Sequence, residues 1–153
     1  MPACTFFGHR TVTGKVYDVL YKEIETLIRE CGVDSFYVGN NGDFDIEVRR
    51  ALRELKKEYP AINYSVVLAY PPRDDGYDYS DTIYPEGIET VPKRYAILWR
   101  NEWMLKKAEY VICYIAHPLG GAYKFFEKAK KQKKKVKNIA QTVEKGMRPQ
   151  AEK

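Results

Sequence analysis

Apolar positions along the chain change period repeatedly, from runs to helical spacing and back. The run CTFFGH at residues 4–9 reads as a short strand. Val16, Val19, Leu20, Ile24, Leu27 and Ile28 then fall on one helical face, which Gly32 ends. SFYVGN predicts a second strand, and Val48, Ala51, Leu52, Leu55 and Tyr59 line a second helix that stops at Pro60. NYSVVLAY, apolar through its second half, predicts a strand covered on both faces. A third helix carries Ile97, Asn101, Met104, Leu105 and Ala108 on one stripe. The strand YVICYI, a helix from about Gly120 to Lys133 and a last strand KVKNI follow. Strands alternating with helices imply an α/β domain with a mainly parallel sheet of about five strands and helices on both faces.

Between Pro71 and Pro92 the rhythm fails. Four prolines, two glycines and the acidic set Asp74, Asp75, Asp78 and Asp81 predict a long loop, of the kind that serves as a lid or stays disordered. The expected organisation is one domain over residues 1–140 with this loop at 71–92, then a flexible tail over 141–153, where apolar content is low.

In parallel sheets ligands sit beyond the carboxyl ends of the strands, where strand order reverses. The predicted strand exits are FGHR, GNNGDFD, the long loop and AHPLGG, so Gly, His, Arg, Asn and Asp gather on one rim. At the first exit Gly8 permits close approach and Arg10, beside His9, offers a planar fork to phosphate. At the second, Gly39, Asn40 and Asn41 tolerate unusual backbone conformations. Asp43 suits a helix cap there, and Asp45 can accept hydrogen bonds from a ribose or a base. An unpaired amide at Asn101 on an apolar stripe would cost roughly 1–3 kcal/mol, so it needs a partner in the backbone or in a ligand; Arg100 stands beside it. Gly120 and Gly121 open a helix, whose free N–H groups and positive dipole end favour an anion. The spacing is neither GxGxxG nor GxxxxGK[ST], which excludes both standard phosphate fingerprints.

Composition narrows the classes. With 153 residues, 44% apolar and 14% aromatic, the chain fits one globular domain. No apolar run approaches the ~18 residues of a membrane span, and MPACTFFGHR has no secretory-signal pattern, so a cytoplasmic protein without a membrane partner is expected. Cys4, Cys31 and Cys113 lack metal spacing and read as buried free thiols; neither metal nor cofactor is expected. The net charge of +5 invites anionic partners. Seven lysines in KAKKQKKKVK, residues 128–137, read as a solvated helix end. No aromatic residues interleave with them, which places nucleic acid behind a small anion as the partner.

TFFGHR, FYVGNNGDFD, VPKRYAILWRNEWML, AEYVICYI and HPLGGAYKFFEKAKKQKKKVKNI, in order over residues 4–139, resemble the small bacterial and phage proteins of the SLOG superfamily, in the group close to YpsA. The resemblance implies a Rossmann-like fold and a nucleotide or nucleotide-derived ligand, bound by a sensor or sequestering protein. The superfamily also contains phosphoribohydrolases, the SLOG sensor domain of Thoeris defence proteins and DNA-processing proteins. In the phosphoribohydrolase branch an arginine precedes a Gly-Gly-x-Gly-Thr run and a catalytic glutamate. Arg100, Gly120, Gly121 and Glu127 match that pattern, whereas Tyr123 and Lys124 stand where it needs Gly and Thr. An enzyme cleaving a nucleotide's N-glycosidic bond through Glu127 and Arg100 is therefore the alternative to binding alone. The formation of a homo-oligomer is left open.

Overall fold

A computed structural model describes residues 2–12 and 14–146. Its six strands are β1 (Ala3–Gly8), β2 (Ser35–Val38), β3 (Asn63–Val67), β4 (Thr82–Ile83), β5 (Tyr110–Tyr114) and β6 (Lys135–Asn138). The helices are α1 (Val16–Cys31), α2 (Asp43–Glu58), α3 (Ala96–Lys107), α4 (Gly121–Lys131) and α5 (Ala140–Gly146). Every strand pairing is parallel, in the order β4-β3-β2-β1-β5-β6, giving an α/β Rossmann-like single domain.

Alternation along β1 divides the core. Cys4 and Phe6 face one layer with Leu20, Ile24, Phe44, Val48 and Leu52 of α1 and α2, while Phe7 faces the other with Met104, Leu105, Phe125 and Ala129 of α3 and α4. The central strands β1 and β5 are buried almost throughout, and the edge strand β6 alternates with solvent. From β1 the chain winds outward through β2 and β3 to β4, then crosses back to β5 on the far side of β1. Strand order therefore reverses between β1 and β5, and the exits of these two strands flank a crevice.

Three expectations are corrected. The sheet has six strands rather than five, because the segment 71–92 contributes β4 and a 3-10 turn at Ile88–Thr90. A two-residue strand has no period to read; side chains fix it from outside. Asp81 accepts hydrogen bonds from Arg49 Nε at 2.9 Å and Tyr64 Oη at 2.8 Å, and Arg53 pairs with Asp78 at 2.9 Å. Part of the expected tail forms α5, whose Val143 is buried with Ile139 against the α1 layer; residues 147–153 lie outside those described. Cys31 is exposed at the end of α1, whereas Cys4 and Cys113 are buried thiols. Among the described residues no helix is long and apolar enough to cross a membrane.

Burial opposes ionisation of Asp81, but its hydrogen bonds to Arg49 and Tyr64 outweigh that and hold the carboxyl group below its ordinary value. A lowered folded value means that its stabilisation is complete above the unfolded value of about 3.9 and is lost as pH falls through the folded one. Asp81→Ala should cost about 2 kcal/mol, the range for hydrogen bonds to charged groups. Hydrogen exchange should quicken first at the N–H groups of Val66 and Leu68, which bond to Asp81 and Ile83.

Candidate functional site

The exits of β1 and β5, the start of α2, the buried face of α3 and the start of α4 enclose a cavity of about 440 Å³. Gly8, His9 and Arg10 line it from the β1 exit, Asn41 from the β2 exit, Asp45 from the first turn of α2, Arg100 and Asn101 from α3, and Gly120 and Gly121 from the start of α4. Phe6, Phe7, Ile97 and Met104 supply an apolar floor, and Leu119, 69% exposed, stands at the edge. These residues come from widely separated stretches of the chain, gathered because parallel strands deliver all their exits to one rim.

Arg100 organises the floor. It is 1% exposed, and its guanidinium donates to neutral oxygens: Nε to Asn101 Oδ1 at 2.8 Å, one terminal nitrogen to the Val67 carbonyl at 2.9 Å and Asn40 Oδ1 at 3.4 Å, the other to Asn41 Oδ1 at 2.7 Å. This answers the partner question raised by Asn101: its amide oxygen takes the Arg100 Nε proton. Burial lowers the Arg100 pKa, with the nearby Asp45 carboxyl group opposing that shift. Asp45 is itself buried, and desolvation raises it to about 6, opposed by the Asn41 N–H that its Oδ2 accepts at 2.9 Å and by the Arg100 charge.

The glycines divide by what approaches them. At Gly8 a Cβ would fall 2.3 Å from the Phe44 ring, and at Gly39 it would fall 2.8 Å from Arg100 Cζ and 3.0 Å from Asp45 Oδ2. Protein, therefore, makes the close approach at both. Gly39 and Asn40 support the cavity through Arg100 rather than lining it. Asp43 opens α2 with its N–H bonded to the Arg10 carbonyl at 2.7 Å, and no side-chain cap is formed: Gly42 holds the cap position.

Gly120 and Gly121 are different. Gly120 has φ +95°, a conformation that L side chains rarely adopt, which explains one glycine. Gly121 has neither a positive φ nor a neighbour within 4 Å of an added Cβ. Nothing in the fold demands glycine there, and Gly121 lines the cavity. The first helical bond of α4 runs from the Lys124 N–H to the Gly120 carbonyl at 3.2 Å, so the N–H groups of Gly121, Ala122 and Tyr123 precede the helical ladder.

His117 is a lining residue that sequence reasoning missed. Its ring stacks on His9 with centroids 3.9 Å apart and planes 4° from parallel. His9 Nε2 accepts the backbone N–H groups of Ala116 at 3.0 Å and His117 at 3.4 Å, which pins the β5 exit to the β1 exit. Burial, and then His117, lowers the His9 pKa, consistent with a neutral ring that carries its proton on Nδ1. The signal lay in AHPLGG, where His117 immediately precedes the proline and glycines.

Glu127 does not line the cavity; its carboxylate pairs with Lys130 at 3.0 Å. In the lysine run, Lys128 pairs with Glu102 at 2.6 Å, and Lys128 and Lys130 lie over Phe125 and Phe126. A separate groove brings Lys106, Lys128 and Lys134 beside Trp99 and Trp103. Aromatic residues absent from the run in sequence thus stand next to it in space. Compared with known proteins, the chain matches no family model and no curated protein.

Proposed function

We propose that the chain binds a nucleotide or nucleotide-derived ligand at this rim, as a sensor or sequestering protein. The observation that carries the reading is the pairing of two surfaces in one cavity at the reversal of strand order. Ile97, Met104 and Leu119 offer an apolar wall suited to a base. Arg10 and the α4 N-terminus, with open space over Gly121, offer cationic and N–H contacts suited to a phosphate. The resemblance to the SLOG superfamily points the same way. Arg100 serves this site by holding Asn40, Asn41 and Asn101 in place, with at most one N–H left for a ligand.

The position of Glu127 favours binding over hydrolysis, since a glycosidase needs its carboxylate at the scissile bond. Thermal shift against AMP, GMP, NAD and ADP-ribose, with mass spectrometry of molecules retained through purification, tests the reading. At least one nucleotide should raise the midpoint, because a ligand bound only by the folded state stabilises it. Arg10→Ala should weaken that shift roughly tenfold in ligand concentration, the order expected for one charge-assisted contact. Glu127→Gln should leave it unchanged. Release of base or ribose phosphate that disappears in Glu127→Gln would establish the hydrolase instead. Nucleic-acid binding that falls steeply with salt, without any small-molecule shift, would move the function to the lysine groove.

A further inference from the structure

We propose that the cavity takes up its anionic ligand together with one proton, which comes to rest on the Asp45 carboxyl group. The inference rests on the nucleotide reading above and adds how the site handles charge.

Arg100 and Asp45 are the arginine and carboxylate buried among the described residues, and they face the same small residue, Gly39. They nevertheless form no ion pair. The Arg100 donors go to the oxygens of Asn40, Asn41, Asn101 and Val67, and Asp45 Oδ2 takes the Asn41 N–H. Asp45 is therefore a buried carboxylate on the cavity wall whose charge is opposed only at one remove.

A phosphate dianion entering beside an ionised Asp45 would bring a like charge next to a buried carboxylate, which raises the carboxyl group's affinity for a proton. Burial already holds that group at about 6, so a further rise of about two units suffices to protonate it at neutral pH. Once protonated, Asp45 gains an O–H donor for a ligand oxygen, and Arg100 faces the anion without a competing carboxylate.

Other charged groups near Asp45 have different commitments. On its own helix, Asp43 is exposed at the first turn and Arg49 is bound to Asp81. From the β1 exit, Arg10 carries a fixed charge and His9 is occupied by two backbone N–H groups. Tyr70, after β3, donates its O–H to the Lys93 carbonyl at 3.1 Å. From the β5 exit, His117 lines the cavity with its ring stacked on His9.

Calorimetry of AMP, GMP and inorganic phosphate binding to the full chain at pH 7.5, in phosphate-free buffers of different ionisation enthalpy, counts the protons. A phosphate monoester is then mostly dianionic, its second pKa being about 6. Wild type should take up about 0.7 proton per bound anion, the change for a carboxyl group that moves from about 6 to about 8, and bind about fivefold more weakly for each unit of pH rise. Whatever affinity remains in Asp45→Asn should carry little uptake and a flatter pH dependence. Because that change could disturb packing, the Asp45 side-chain carbon of wild type should also be followed by NMR. It should move from the carboxylate toward the carboxylic-acid position on saturation with AMP or GMP. Binding without proton uptake, or an Asp45 resonance that stays at the carboxylate position, would overturn the proposal while leaving the nucleotide reading intact. Uptake that survives Asp45→Asn but is lost in His117→Gln would place the proton on His117 and equally overturn it. Failure of all three probes to bind would remove the anion reading and this inference with it.

Discussion

Arg100→Ala should be among the most destabilising single substitutions in this protein. The side chain is 1% exposed and joins three parts of the fold: Asn40 and Asn41 after β2, the carbonyl of Val67 at the end of β3, and Asn101 on α3. Truncation leaves those oxygens without their donor and Asp45 without its neighbouring cation. Each buried acceptor left unsatisfied costs about 1–3 kcal/mol, so losing the donor shared by these four oxygens should cost about 4 kcal/mol. For a chain of this length that is a fall in Tm on the order of 10 °C. Arg100→Lys should recover little, because an ammonium cannot reproduce the planar fork that reaches oxygens on separate segments. Urea denaturation of both variants checks this; a loss below about 1 kcal/mol in Arg100→Ala would mean that the asparagines find water instead.

That hub also marks where sequence reading reached its limit. The strand-helix rhythm, the α1 and α2 faces and the gathering of strand exits on one rim were legible, because burial on a sheet imposes the periods that were counted. The α3 stripe was read through Asn101, whereas the deeper residue is its neighbour Arg100. A hydrophobic stripe cannot register a buried arginine whose acceptors belong to other segments. β4 escaped for a related reason: Asp81, Arg49 and Tyr64 are distant in sequence, and their contacts fix two residues in a proline-rich stretch. In α5, Val143 was too isolated to reveal a period, and its burial depends on the layer of α1. His117 was visible in the strand exit, but its stacking on His9 depends on strands β1 and β5 lying side by side.

Gly121→Leu isolates the central claim from stability. Gly121 sits in the first turn of α4, outside the left-handed region, with no atom within 4 Å of an added Cβ. The fold should therefore tolerate leucine, and relief of glycine's backbone entropy can stabilise it by up to about 1 kcal/mol. If the phosphate sits at the α4 N-terminus, however, a leucine on this lining position crowds it. The decisive measurement is the affinity of wild type and Gly121→Leu for whichever of AMP, GMP, NAD or ADP-ribose stabilises wild type, with urea denaturation of both proteins alongside. The account predicts equal or slightly greater stability in the variant and at least about a hundredfold loss of affinity, corresponding to about 2.7 kcal/mol. A folded Gly121→Leu that binds the nucleotide as tightly as wild type would place the ligand outside the cavity between β1 and β5.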